Sequence, residues 1–343
     1  MWIVCLNGGA GKMTKLTIGE VAKQAGVSKS TISRYLNGNF KKMSPVTRQK
    51  IEKTIKELDY HPNRQAQTLK TKKSGLIGFV VADMANMYSS RLISGASKVA
   101  REHNYQVLTM DSVNDIELEH DSLLKLRDQA LEGLIIQPMS RNSQVYEELA
   151  STIPTVFVDR VTDNKQWPGV VVDNFDATHQ IGELIASHHY KNVIMVSEPV
   201  SVSQARLNRV NGLKAVADAN SINFELVEVD ELQHESTRGQ LVNKIKKATG
   251  TRAAVFTSNS RLLMLMLQII EEVGAEIPTD IGLSGYDDWN WTSLTNPPLT
   301  SIEQDTLSVG TEAMKTLIDR ISHTNDEPNL KVIRSQINIR KSI

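Results

Sequence analysis

Apolar positions follow two different rhythms along this chain. Up to about residue 60 they recur at offsets of three and four, the spacing of helices with one buried side. Val21, Ala22 and Ala25 form one small apolar face, Ile32, Tyr35 and Leu36 a second, and Val46, Ile51, Ile55 and Leu58 a third. From residue 75 the rhythm changes. Gly75–Ala82 (GLIGFVVA) is a strand-length apolar run rich in β-branched residues, Tyr88–His103 reads as a helix, and Tyr105–Met110 as the next strand. Helix Glu117–Ala130 leads into strand Gly133–Gln137, and strand Pro154–Val158 ends at Asp159-Arg160. The scheme then repeats through helix Thr178–His189, strand Asn192–Ser197, helix Gln204–Ala219, strand Glu225–Val229 and helix Gln240–Thr249. It closes with strand Ala253–Thr257, helix Leu262–Val273, strand Ile281–Ser284, helix Leu307–Ile321 and a last strand at Arg334–Ile339. Repeated units of this kind imply right-handed crossovers and parallel sheets covered by helices. About ten strands in two runs predict an α/β body of two doubly wound lobes, with a ligand cleft at the carboxyl ends of the strands.

The helical head carries its own signal. Residues 17–38 read TIGEVAKQAGVSKSTISRYLNG. Gly26 lets the backbone turn between two short helices, and Ser28 is placed to cap the second. Lys29, Ser30, Ser33 and Arg34 are left facing outward. Two short helices around a glycine, the second dense in small polar and basic side chains, form the pattern of a helix-turn-helix, whose second helix enters the DNA major groove. Ser44-Pro45 opens a third helix, with the serine as cap and proline at the first helical position.

Charge separates the same two parts. Residues 14–73 hold eleven Lys and three Arg against three Glu and one Asp, a net of +10 in a 343-residue chain whose formal charge is zero. With Lys12 the only charge before residue 14, residues 74–343 carry −11. A basic head on an acidic body supplies salt-sensitive attraction to phosphates where the helix-turn-helix lies. The single cysteine, Cys5, excludes an intrachain disulfide framework and fits a reducing cytoplasm. No apolar run reaches the length of a membrane span. The apolar start Met1–Leu6 is too short for a secretory signal and lacks a basic flank. Gly8–Lys12 fails the phosphate-loop pattern, because Leu6 holds the first glycine position and Met13 follows the lysine. Residues 1–13 are therefore read as a leader from a mis-assigned start, with Met13 the first residue. No catalytic, cofactor or metal site is expected. Asp287 and Asp288 point apart as strand neighbours, and His188-His189 lack ligand partners at metal-site spacing.

Three ordered stretches resemble the lactose-repressor (LacI) family of bacterial transcription regulators: T-I-x-E-V-A at 17–22, G-V-S-x-x-T-I-S-R-x-L-N at 26–37, and H-P-N-x-x-A-x-x-L at 61–69. The resemblance runs from about residue 15 to the end. It implies a helix-turn-helix domain at 14–60, a hinge helix and linker at 61–73, and an effector-binding and dimerisation body at 74–343. The body would resemble a periplasmic sugar-binding protein, with lobe 1 at about 74–173 and 303–331 and lobe 2 at about 174–302 and 332–343. On DNA, Lys29, Ser30 and Arg34 would face base edges, with Ser33 beside them on the outward side. Thr17, Ser28, Thr31, Asn37 and Lys41 would meet phosphates. Asn63, Arg64, Ala66 and Leu69 fall in the hinge helix, with Leu69 as the minor-groove wedge.

Effector candidates sit just after strands or in the helices that follow: Tyr88, Asp159, Arg160, Arg209, Asn259, Asp287 and Trp289. Arg209 and Gly212 fit the family's R-x-x-G context, and Asp287 lies in G-Y-D-D. Asn259 is followed by Ser260, where the family has an aspartate. Asn104 stands where the family has a glycine, which asparagine tolerates through its left-handed conformation. Arg160 with Arg209 favours an anion, and the segment GYDDWNW resembles sugar-acid (ketogluconate-type) regulators of the family. The expected partners are a near-palindromic double-stranded operator, a sugar acid or sugar phosphate ahead of a neutral sugar, and a second copy of the chain. The function expected is an effector-controlled repressor of carbohydrate or sugar-acid catabolism genes, cytoplasmic and with no membrane partner. Two alternatives share parts of the pattern: a global catabolite regulator using a protein corepressor, and a sugar-binding receptor.

Overall fold

Thr17 and Ser44 each begin a helix by turning a side-chain oxygen back onto its first turn. In the computed structural model, which describes residues 16–36, 38–41, 43–61, 74–163, 167–229, 235–322 and 329–343, the chain forms two compact units divided after Ser74. The described residues of the first form three helices: α1 (Ile18–Ala25), α2 (Lys29–Leu36) and α3 (Pro45–Glu57). A capping box at Thr17 and Glu20 starts α1, and Gly26 ends it at φ 63°. Ser28 Oγ accepts from Thr31 N to start α2, and Ser44 caps α3 ahead of Pro45. Val21, Ala22, Ala25, Ile32, Ile51 and Tyr60 close the core between the helices. Val46, expected on the packed side of α3, is instead 75% exposed. It occupies the first turn, before the helix reaches the others.

The second unit contains two six-stranded sheets. The first is built from β1 (Leu76–Val81), β2 (Gln106–Asp111), β3 (Gly133–Ile136), β4 (Thr155–Val158), β5 (Gly169–Val172) and β11 (Leu330–Ile333), in the order β11-β5-β4-β3-β1-β2. The second uses β6 (Asn192–Ser197), β7 (Asn223–Glu228), β8 (Ala253–Thr257), β9 (Ile281–Tyr286), β10 (Thr300–Glu303) and β12 (Gln336–Asn338), in the order β12-β10-β9-β8-β6-β7. The two orders are the same pattern twice. All pairings are parallel except that of β12 with β10.

Helices α4 (Met87–Glu102), α5 (Ile116–Arg127), α6 (Gln144–Ala150) and α11 (Thr306–Ser322) cover the first sheet, and α7 (Asn174–Ser187), α8 (Gln204–Ala219), α9 (Glu235–Ala248) and α10 (Ser260–Val273) the second. The strands not read from the sequence are β5, β10 and β11, each four residues long, and α6 is the missed helix. Length alone does not explain this, since β3 and β4 are equally short. Those two are buried, largely apolar runs, whereas β10 (TSIE) and β11 (LKVI) are interrupted by polar residues. β5 (GVVV) is an apolar run that was passed over. Asn104 is left-handed, with φ 61°.

The described chain crosses between the sheets three times: at Asp173 before α7, at Gln304-Asp305 between β10 and α11, and at Arg334-Ser335 between β11 and β12. Ser335 N donates to Asp173 Oδ1 at 2.8 Å, joining two of these crossings. No described helix is long and apolar enough to cross a membrane.

Candidate functional site

In the first unit, α2 turns Ile32 inward and leaves Lys29, Ser30 and Arg34 exposed, with Thr31 and Ser33 half-buried. The hydroxyls near its start serve the cap: Ser28 Oγ lies 2.7 Å from Ser30 Oγ and 2.8 Å from Thr31 Oγ1. Thr17 Oγ1 donates to Glu20, whose carboxyl is held below its ordinary value by the Thr17 backbone and side-chain hydrogen bonds. Lys41 is exposed, and beyond it the Arg48 guanidinium lies 4.1 Å from the Phe40 ring centroid. Asn37, Asn63, Arg64, Ala66 and Leu69, and the hinge helix as a whole, lie outside the described residues, as do residues 1–15.

In the second unit, the carboxyl ends of both sheets open onto one cleft of about 530 Å³, counting the space open to solvent at its mouth. Six of the seven effector candidates line it: Tyr88, Asp159, Arg160, Arg209, Asn259 and Asp287. Trp289 does not line this cleft. Its ring packs against the core of the first sheet beneath the Arg91 guanidinium, and its Nε1 donates to Ser260 Oγ at 3.2 Å. Trp291 packs on the second sheet's core. Trp289 and Asn290 both have left-handed backbones, with φ of 40° and 66°.

Arg209 is held from three sides. Its Nε donates to Asn174 Oδ1 at 2.7 Å, Nη1 to the Ser258 carbonyl at 2.6 Å, and Nη2 to Gln304 Oε1 at 3.0 Å. Its guanidinium also stacks 3.8 Å from the centroid of Tyr286, whose hydroxyl is pushed up to about 12 by burial. Gly212 explains the rest of the R-x-x-G pattern: a Cβ there would strike the Phe175 carbonyl, so glycine lets α8 lie close on α7. Gln304 Nε2 in turn donates to Asp287, which burial drives above the ordinary carboxylate range against the opposing pull of Arg209. Asp159 accepts from Gln137 Nε2 at 2.8 Å.

Arg160 is differently placed. Among the described residues its Nη1 meets Met139 Sδ at 3.1 Å, and its Nε lies 3.7 Å from Asp159 Oδ2. A guanidinium has five donors, so this contact set leaves capacity for a ligand. Among the described residues, two buried hydroxyls in the cleft wall, Tyr88 Oη and Ser258 Oγ, meet no partner in full hydrogen-bond geometry, although Tyr88 Oη lies near the Asp159 carboxylate. Burial and the neighbouring Asp159 carboxylate push the Tyr88 hydroxyl well up, so it stays a donor. Asn259 accepts from Leu262 N as the cap of α10, and only part of its amide is left for other work.

Sequence reasoning missed Asp83, Gln137, Glu198, Arg206, Ser258, Arg261 and Gln304, which also line the cleft. Asp83, Gln137, Glu198 and Ser258 follow, within two residues, strands that were read. Arg206 and Arg261 lie in the first turn of the helix after one, and Gln304 follows β10, which was not read. The wall holds four arginines, Arg160, Arg206, Arg209 and Arg261, and four carboxylates, Asp83, Asp159, Glu198 and Asp287.

A small-molecule cleft between two like lobes, in one chain with a basic helix-turn-helix, defines a ligand-responsive DNA-binding regulator. Residues 17–63 match the family described as bacterial regulatory proteins, lacI family. Residues 74–342 match the periplasmic binding proteins and sugar binding domain of the LacI family. The chain belongs to the LacI family of transcriptional regulators. It is 34% identical over 330 residues to the HTH-type transcriptional regulator KdgR of Bacillus subtilis, covering 95% of this chain and 97% of that one. The regulator PtxS of Pseudomonas putida is 30% identical over 308 residues, covering 90% of each chain. Among solved structures, a lac repressor dimer bound to operator and the anti-inducer ONPF superposes with a TM-score of 0.83 at 26% identity, covering 96% of this chain and 99% of that one. The protein is thus a transcriptional regulator and not an enzyme.

Proposed function

We propose that this regulator is a homodimeric repressor of sugar-acid catabolism genes, and that its effector is a carboxylate-bearing sugar derivative bound in the cleft. The observation that carries the effector class is Arg160, an arginine of the cleft wall with donors to spare beside a sulfur contact. A carboxylate meets such a guanidinium with two parallel hydrogen bonds. Tyr88 Oη and Ser258 Oγ add groups suited to sugar hydroxyls, and Asp159 and Asp287 add acceptors. Arg209 contributes less to anion binding than the sequence suggested, because its donors hold Asn174, Ser258 and Gln304. Similarity to KdgR and PtxS agrees with the GYDDWNW resemblance.

On the DNA side, Lys29, Ser30, Ser33 and Arg34 of α2 are the proposed base-reading face. Thr17, Ser28, Thr31, Asn37 and Lys41 are the proposed phosphate contacts, and residues 61–73 the proposed hinge. Fluorescence anisotropy with the promoter of the chain's own gene cluster tests the whole reading. Release of DNA by a sugar acid, and not by the matching neutral sugar, is the expected result. Salt-sensitive binding that no compound alters would overturn the effector class and favour a protein corepressor.

A further inference from the structure

Asp83 and Glu198 hold matching positions in the two lobes: each follows the first strand of its sheet, β1 or β6, within two residues. Both carboxylates line the cleft, and their side chains are only 14% and 13% exposed. Each is fixed within its own lobe. Asp83 Oδ1 accepts from Ala85 N at 2.9 Å and Oδ2 from Asn114 Nδ2 at 3.3 Å. Glu198 pairs with Arg206, whose Nη1 donates to the Pro199 carbonyl at 3.2 Å. Two fixed, poorly solvated carboxylates brought toward each other repel.

Arg261, the second residue of α10, lies between them. Its Nη1 donates to Asp83 Oδ2 at 2.9 Å, across the cleft, and its Nη2 to Glu198 Oε1 at 3.2 Å, within its own lobe. We infer that Arg261 is an interlobe clasp, which holds the two lobes together at the cleft through the Asp83–Arg261–Glu198 bridge and sets their resting angle. Arg261 is 42% exposed, which weakens an ion pair, but both acids are mostly buried. Without Arg261, Asp83 loses its arginine and faces Glu198, which keeps only Arg206. The clasp is independent of which effector binds. Any ligand that enters the cleft meets its residues, so lobe angle and cleft occupancy are linked.

The test is a distance measurement by single-molecule fluorescence transfer on the full chain. Dyes are attached at Glu117→Cys and Ser201→Cys, exposed positions of the first and second lobe, with Cys5 replaced by serine. Labelled protein is diluted into unlabelled protein, so that each pair reads one chain. R261Q is expected to lengthen the mean distance most, because attraction is lost and repulsion gained. D83N removes only the bridge to the first lobe and is expected to lengthen it less. D83N/R261Q is expected to match D83N, since neutralising Asp83 removes the repulsion. Parent-like distances in both single variants would overturn the clasp. So would a double variant as open as R261Q, which would show that the opposed charges have no part in it.

Discussion

Asp159 and Asp287 occupy the same place in the two lobes, each the first residue after its sheet's fourth strand, β4 or β9. Both have left-handed backbones, with φ of 62° and 70°, and both are buried at the cleft, 9% and 3% exposed. Each accepts a hydrogen bond from a glutamine amide, Gln137 in one lobe and Gln304 in the other. A non-glycine residue held at positive φ stores about 1 kcal/mol or more, and such strain concentrates at ligand sites. The Asp159 charge is also one of the forces raising the Asp287 carboxyl. The cleft therefore holds two acids in costly conformations and costly surroundings.

That cost predicts the behaviour of Asp287→Asn. Asparagine accepts from Gln304, tolerates the left-handed backbone and carries no charge. A carboxyl whose folded pKa is raised gives its full stability below the unfolded value and loses it as pH rises through the folded one. Above the ordinary carboxylate range the raised Asp287 carboxyl carries a cost that asparagine does not. At pH 7 the variant is therefore expected to melt higher without effector, by about 2–4 °C for each ~1 kcal/mol. The gain should vanish as pH falls toward about 4. Effector response should be lost. Calorimetry across pH checks the first point, and a lower melting temperature at pH 7 would refute it.

Tyr88→Phe separates stability from binding in the same way. A buried hydroxyl without a well-aligned partner costs up to about 3 kcal/mol, and phenylalanine removes it without a cavity. Effector-free protein should be as stable as the parent or more so. Operator release should need about tenfold more effector, the worth of one hydrogen bond to a ligand hydroxyl. Unchanged release would mean that Tyr88 Oη faces no ligand group.

The neighbouring Asp288 titrates in the opposite sense. Burial works against its charge, but hydrogen bonds from Thr292, Arg340, Ser301 and Asn338 together outweigh it and hold the carboxyl below the ordinary range. The Arg340 Nη2 contact is 2.6 Å. A depressed carboxyl stabilises above its unfolded pKa and loses that contribution as pH falls through the folded one. Arg340→Met should cost about 3 kcal/mol at pH 7, since it leaves a buried charge unpaired. The difference between parent and Asp288→Asn in urea melts should shrink below about pH 4. A gap that widens on acidification would contradict the assignment.

Arg34→Ala should weaken specific operator binding about tenfold to a hundredfold and relax preference at one base pair, the signature of a lost base contact. Lys41→Gln should weaken binding evenly across sequences and lower the salt slope by about 1. Binding to an array of single-base operator variants at several salt concentrations distinguishes them. If Arg34→Ala changes only the salt slope, Arg34 meets phosphate.

The lobes were legible because their long strands and helices are strongly patterned. Gly75–Ala82 and Gln204–Ala219 were read within one residue of β1 and α8. The crossing segments were harder, because β10 (TSIE) and β11 (LKVI) mix polar residues into a strand no longer than the legible β3 and β4. Within the cleft, proximity to strand ends located Tyr88, Asp159, Arg160, Arg209, Asn259 and Asp287. It did not reveal which of them are already engaged. Trp289 shows the limit: two residues after Asp287 in sequence, its ring packs on the core of the first sheet and does not line the cleft. Glu198 had the strand-end signal, but its pairing with Arg261 spans 63 positions and that of Asp83 spans 178, which leaves no local pattern.

Arg209 joins Asn174 at one crossing, Gln304 at another and the end of β8 at Ser258. In a genetic screen, substitutions at Arg209 would therefore score as unresponsive alleles even if the side chain never touched an effector. They would uncouple the axle about which the lobes turn. Alleles at Arg160, by contrast, should be rescued by an effector of altered charge, and that difference in suppression tells a recognition residue from a mechanical one.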